Sequence, residues 1–385
     1  MDIAYDRFIR LKPRLSTEKN VANNTARLDE RLATLEADEQ EILAAATQLV
    51  ELPTEEEQWW PYLVEYFGSE DAIFSHMGLD RGVFDQALAL VSDVVGERRG
   101  RRSAIRTNRE KLLFLMLYMA KGVEIVELLA SRFIKTREHV MERAKTFAAL
   151  FHDNIVEGAV RHFDETHDAA PGASLIIDCT ICPIRRPKQP YKDAKVFFSG
   201  KHWFYALKKE VCVNIRSGTA ALISPAFPGS VHDIMILRSH PETINETLQG
   251  RSMLADLGYR GAEQDVPTLI VCGPEDTGLR SRRVLVECFF GRLKTLWRIF
   301  SKVWTLDEQF FSLFFDIACG LTNLHILTNH PLQERDSLFN MGVLNKIKLE
   351  YKRRQERKRI ANARYRRNRR RRLGLPVPPV DDQEQ

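Results

Sequence analysis

The chain has 385 residues, 44% of them hydrophobic and 28% charged, with a formal net charge of +5. This balance describes an ordinary soluble protein with a sizeable core and room for two compact domains plus tails. Six cysteines without small-scaffold spacing imply free thiols in a reducing compartment, and the apolar runs Leu112–Ala120 and Phe310–Phe315 fall well short of a membrane span.

The N-terminus has no apolar stretch behind a basic head, so neither a secretory signal nor a membrane association is expected. Residues 1–61 are polar, with Leu28, Leu32, Leu35, Ile42 and Leu49 at roughly helical spacing and the acids Glu55 to Glu57 ahead of Trp59. They read as an amphipathic helix and a linker, serving either as a dimerisation or docking element or as a loosely attached segment.

Residues 62–168 read as all-helical. Asp80 opens one helix with a plausible cap, a basic stretch follows at Arg98–Arg102, and Arg109 to Met119 forms a strongly apolar helix. Val123 to Phe133, a break at Ile134–Thr136 and a helix from Arg137 to about Phe151 have the spacing of a helix-turn-helix. Thr136 would cap the second helix, and Arg137, His139, Arg143 and Lys145 would form its polar face. That face either reads DNA or simply surrounds a bundle helix.

From about residue 174 to 330 the pattern changes to mixed α/β. Leu175-Ile176-Ile177 is a buried-strand run, Trp203 to Ile215 a second strand, Ala220 to Ala226 a third, and Ser252 to Ala255 a fourth. Helices are expected from Asp233 to about Leu248, Ser281 to Ile299 and Asp307 to His325. This order matches an RNase H-like sheet, by analogy of fold.

Beyond it the charge is lopsided. Between Lys346 and Arg372 fifteen Lys or Arg stand against two Glu, a net of +13, which leaves −8 on the remainder of a +5 chain. The segment 345–385 is expected to be basic and largely disordered. Arg366, Arg367 and their neighbours would serve as a nuclear localisation signal, as a non-specific DNA-binding arm, or as a merely solvated run.

Three acids carry the chemistry. Asp178 ends the first apolar strand, Asp256 ends the fourth, and Glu287 lies on a helix whose other face holds Val284, Phe290 and Leu293. Carboxylates converging from separate elements can hold two Mg²⁺ (or Mn²⁺) ions about 3.5–4 Å apart, which is what metal-dependent phosphodiester cleavage requires. Cys179-x-x-Cys182 has zinc-ligand spacing, but no second pair follows it at a useful distance.

The motifs Ile177-Asp-Cys-Thr180, Ser199-Gly-Lys-His202, Pro228-Gly-Ser-Val-His-Asp233, Ala255-Asp-Leu-Gly-Tyr259 and Val286-Glu-Cys-Phe-Phe-Gly-Arg-Leu-Lys294, taken together, resemble the DDE superfamily endonuclease domain of PIF/Harbinger transposases. The resemblance implies an RNase H-like catalytic domain with a two-Asp, one-Glu triad that uses divalent metal on DNA. It also implies a homo-oligomer working in the nucleus, and often a Myb-like DNA-binding partner. The first Asp falls on Asp178 and the Glu on Glu287. Both Asp233 and Asp256 match family positions for the second. Asp256 is preferred because the fourth strand lies beside the first, and Asp233 is expected to cap its helix. Lys201, His202, Arg292 and Lys294 are candidates for contacts to phosphate.

Overall fold

A computed structural model describes residues 59–95, 105–122, 125, 136–160, 173–188, 190–273, 276–328 and 330–372. The expected helix between Thr25 and Val50, the basic stretch Arg98–Arg102, most of Val123–Phe133 and the Pro376–Pro379 end lie outside these residues. The first half of the expected helix-turn-helix is therefore not described.

The helical part begins with α1 (Trp59–Phe67), α2 (Glu70–Met77) and α3 (Arg81–Val91), followed by α4 (Asn108–Lys121) and α5 (Arg137–Ala159). Their starts are set by local capping. The Asp80 carboxylate accepts from Val83 N at 2.9 Å, Thr107 and Glu110 form a reciprocal capping box, and Thr136 Oγ1 accepts from His139 N. From Leu112 to Lys121 every residue of α4 is buried, so this helix has no solvent stripe. Its neighbour α5 buries Val140, Ala144, Phe147, Phe151 and Ile155 against the rest of the bundle.

One hydrophobic core continues from these helices into the sheet. At its centre is α9 (Gln309–Leu327), which buries Phe311, Phe314, Phe315 and Ile317. By length and composition α9 could cross a membrane, but here it is mostly buried inside the protein. Gly320 lets it approach Ile155 and Ala159 of α5, where a Cβ would crowd the Ile155 side chain. Asn323 then joins three elements, donating to Ala159 O and Ala220 O and accepting from Ala220 N.

A charged group is sealed in this junction. Lys209 Nζ lies 2.7 Å from Asp316 Oδ1, and the other Asp316 oxygen is 3.5 Å from His152 Nε2 on α5. Burial alone would lower the His152 pKa, but the Asp316 and Asp153 carboxylates outweigh it and raise it above 6.5. A raised folded-state pKa means that the contribution to stability is complete below 6.5 and disappears as pH climbs through the folded value. His152→Gln is therefore expected to cost about 1.5 kcal/mol at pH 6, the lower end for a hydrogen bond to a charged group. Urea titrations at pH 6 and 8 should show the gap to wild type closing at the higher pH.

The sheet contains β1 (Leu175–Pro183), β2 (Phe198–Ser199), β3 (Phe204–Asn214), β4 (Ala220–Ile223), β5 (Phe227–Pro228), β6 (Met253–Ala255) and β7 (Leu269–Val271). Its main path is β2-β3-β1-β6-β7, with β4 and β5 also paired to β3; β3 is antiparallel to β1 and β4, while β1, β6 and β7 run parallel. This curled mixed sheet with flanking helices is consistent with an RNase H-like domain. Besides one four-residue turn of helix at Tyr191–Ala194, the helices are α6 (Asp233–Leu237), α7 (Pro241–Leu248), α8 (Thr277–Leu296), α9 and α10 (Glu334–Arg372).

Four details depart from expectation. The helix expected over Asp233–Leu248 is two helices, because Pro241 starts a new one at its first turn and cannot continue the old. Rather than ending at Asp178, β1 runs on to Pro183, held by β3 along its whole length. Trp203 is not packed in a strand: it sits in a turn at φ 63°, largely exposed, and the strand begins after it. The basic tail, expected to be disordered from 345, is helical through Arg372. Its Arg, Lys, Gln and Ala residues are good helix formers, and its first turns are docked on α8.

Candidate active site

Parallel pairing of β1 with β6 matches Leu175 to Met253 and Ile176 to Leu254, so two steps further on Asp178, still within β1, and Asp256, just past the end of β6, stand side by side. Strand alternation decides which face they take. Ile176 and Leu254 belong to the large core cluster that also contains Val286, Phe290 and Leu293 of α8, whereas Leu175, Ile177, Met253 and Ala255 line the opposite face. Asp178 and Asp256 therefore share the α8 face, where Glu287 is half-buried. Val284, expected on the apolar side of that helix, is exposed, while Phe290 and Leu293 are buried.

Asp178 senses the other two carboxylates. Burial pushes the Asp178 pKa up, and the Asp256 and Glu287 charges add to it; the Cys179 N–H and the Arg283 guanidinium oppose them, leaving a value of about 7. Cys179 N donates to Asp178 Oδ1 at 2.7 Å, and Gly258 N to Asp256 Oδ1 at 2.7 Å, so backbone groups fix both aspartates. Arg283, one helical turn before Glu287, places Nη2 3.6 Å from Asp256 Oδ2. It is the countercharge of the cluster, and neither the composition nor the motifs singled it out.

Asp233 takes a different part. His232, not Asp233, is the cap of α6, and Asp233 Oδ1 accepts from Lys208 Nζ at 2.7 Å. By alternation Lys208 points to the face opposite Asp178, because it sits opposite Ile181 on β1. On that face lies a buried polar group: Glu210 Oε1 is 3.2 Å from His240 Nε2, and Cys179 Sγ is 3.3 Å from Tyr259 OH. This group backs the strand that carries Asp178. Cys179 and Cys182, three apart on β1, take opposite faces and do not form one chelating pair.

The expected phosphate contacts are redistributed. Arg292 is buried and fully engaged, with Nη2 2.9 Å from Asp336 Oδ2, Nη1 donating to His330 O and a further contact to His325. Buried Lys294 donates to Ile181 O at 3.1 Å. Both brace the fold and are closed to a nucleic acid. Lys201 is exposed on the turn before β3. Burial, reinforced by Lys348, Lys201, Lys208 and Lys294, pushes His202 down to about 4, so it is uncharged at neutral pH. On α5, Arg137 is exposed, His139 Nδ1 lies 3.0 Å from Thr136 Oγ1, and burial brings Arg143 down to about 10. Lys145 lies between Glu142 and Asp307. Arg366 and Arg367 lie on the outer half of α10, far along the chain from the acids.

The donor set of Asp178, Asp256 and Glu287 is all hard oxygen, which suits Mg²⁺ or Mn²⁺, and the mutual repulsion felt at Asp178 is what a bound cation would relieve. Among the described residues, however, no group of three or more His, Cys, Asp or Glu stands close enough to hold a metal ion. The three therefore agree with a metal site in donor chemistry and in face but not in spacing, and Arg283 stands beside them as a positive charge. No curated protein and no solved structure matches the chain. Residues 177–323, which hold all three carboxylates, match the family model of the DDE superfamily endonuclease.

Proposed function

We propose that this protein is a metal-dependent DNA nuclease of the PIF/Harbinger transposase type. It cleaves phosphodiester bonds at transposon ends and joins the freed 3′ hydroxyl to target DNA. It works in the nucleus as a homo-oligomer, with a Myb-like DNA-binding partner. One observation carries the reading: three carboxylates from β1, β6 and α8 share one face of the sheet, where the Asp256 and Glu287 charges help raise the proton affinity of Asp178.

Divalent metal held by Asp178, Asp256 and Glu287 would supply the positive charge that activates the attacking oxygen and steadies the leaving one. The chain's own part is positioning. The Cys179 amide of β1 and the Gly258 amide of the turn after β6 fix the aspartates, and α8 brings Glu287 from a third direction. Phosphoryl transfer asks for such placement and charge neutralisation and no covalent enzyme intermediate.

A second reading, a transposase-derived DNA- or protein-binding factor that does not cut, is favoured by the Arg283–Asp256 contact, which already neutralises part of the cluster. Plasmid nicking with Mg²⁺ or Mn²⁺ separates the two. Wild type should nick and Glu287→Gln should lose at least about 10³-fold, as expected for a group acting in the transition state. Equal nicking by both would end the nuclease reading, and DNA binding without nicking by wild type would select the second.

A further inference from the structure

We propose that residues 352–372 of α10 form a rigid helical arm that lies in the major groove of duplex DNA, held in place by the helix that carries Glu287. The choice of DNA rests on the nuclease reading above; the arm itself rests on charge, shape and anchoring.

The arm has thirteen Lys or Arg against the single Glu356, and almost all of its residues are exposed. At a rise of about 1.5 Å per residue it extends about 30 Å. Its cations do not form a stripe. Arg353 and Arg357 lie on one side, Arg354 and Lys358 on another, and Arg359 and Arg366 on a third, so positive charge surrounds the helix. A flat anionic surface or an acidic protein face would use only one side. A major groove encloses a helix between two phosphate ridges and uses all of them. The exposed apolar residues of this stretch, Ile360 and Tyr365, are isolated and form no seam for a second helix. Asn362 and Asn368 are exposed and offer the amide geometry that can read adenine.

At its root the arm is fixed. Asp336 accepts from both Nε and Nη2 of Arg292 on α8, and Gly291 lies directly against the Asp336 backbone. Further along, Ile347 and Tyr351 pack on Ile181, Phe204 and Ala206 beside the end of β1. The arm begins one residue beyond Tyr351. DNA held by the arm is thereby referenced to α8 and β1, the elements that carry Glu287 and Asp178.

The test is fluorescence anisotropy of the full chain with a duplex of about 30 base pairs, in EDTA, from 50 to 200 mM salt. Without metal there is no cutting, so failure of the arm is read apart from failure of the nuclease reading. Replacing Arg364, Arg366, Arg369 and Arg371 by Gln should weaken binding at least about 10-fold and reduce the salt slope by about 3–4, near one unit for each phosphate no longer neutralised. Ala361→Pro leaves the charge intact but breaks the helix, and should also weaken binding about 10-fold. Both variants should melt like wild type, because the arm lies outside the core. Unchanged affinity in the Gln variant would overturn the DNA assignment. Unchanged affinity in Ala361→Pro would overturn the rigid helix in favour of a simple polycation.

Discussion

Asp178→Asn is expected to abolish metal-dependent cleavage, by at least about 10³-fold, and yet to raise the melting temperature at pH 8. The two effects have one cause. Burial together with Asp256 and Glu287 lifts the Asp178 pKa from 3.8 to about 7. The folded protein therefore holds a proton that the unfolded chain has released, and stability falls as pH rises between those two values. At pH 8 the wild type carries a charge its surroundings resist. Asn keeps the oxygen that accepts from the Cys179 amide but removes the charge. Thermal melts from pH 4 to 8 without metal should show wild type losing more stability than the variant across the window, with the curves parting above about pH 5. Added Mn²⁺ should restore wild type at pH 8 and leave the variant little changed, since only the intact cluster gains from a cation. A variant that melts below wild type at pH 8, or that still cuts, would remove Asp178 from the site as described.

This opposition of function and stability explains what could be read from the sequence and what could not. The acids were legible because each stands at a change of pattern: Leu-Ile-Ile and Met-Leu-Ala are short apolar runs, and a charge directly after such a run emerges beside the buried layer. Arg283 was equally accessible, four residues before Glu287 on the same helix face, yet a lone arginine among Arg280, Arg282 and Arg283 carries no local mark of its partner. Arg292 and Lys294 were misread for a deeper reason. Their partners, Asp336 and the Ile181 carbonyl, are distant in sequence, so only the tertiary fold shows that they face inward. The same holds for Lys208, Lys209 and Glu210, polar groups inside a strand whose partners are Asp233, Asp316 and His240. β7 was missed because Leu269–Val271 is only three residues long and gains its stability from β6. Pro241, by contrast, was visible in the sequence and should have divided the α6–α7 region. In the tail, composition correctly indicates that no core can form, but a helix anchored at one end needs no core along its length.

Gly291→Ala is expected to destabilise the protein by about 3 kcal/mol or more, although alanine is ordinarily the better residue inside a helix by about 1 kcal/mol. The sign is decided by what a methyl group would meet. At Gly291 a Cβ would collide with the backbone carbonyl and Cα of Asp336, which, unlike a side-chain tip, cannot turn aside. Relief requires α10 to lift from α8, and that movement also opens the buried Arg292–Asp336 pair; overpacking typically costs about 1–3 kcal/mol, and breaking a buried pair about 3–5. Gly342→Ala supplies the matched control, since it lies on the same α10 with nothing within 4 Å of its Cβ position, and should stabilise by about 0.5–1 kcal/mol. Urea unfolding should therefore move in opposite directions for the two substitutions. If Gly291→Ala relaxes by undocking α10 alone, trypsin will cut earlier within the 334–351 segment while the core transition stays in place. Cleavage positions on DNA should then scatter, because the arm would no longer be referenced to Glu287. Identical stability and protease resistance in Gly291→Ala and wild type would mean that α10 does not seat on α8 through this contact, and the geometric link between arm and site would fail with it.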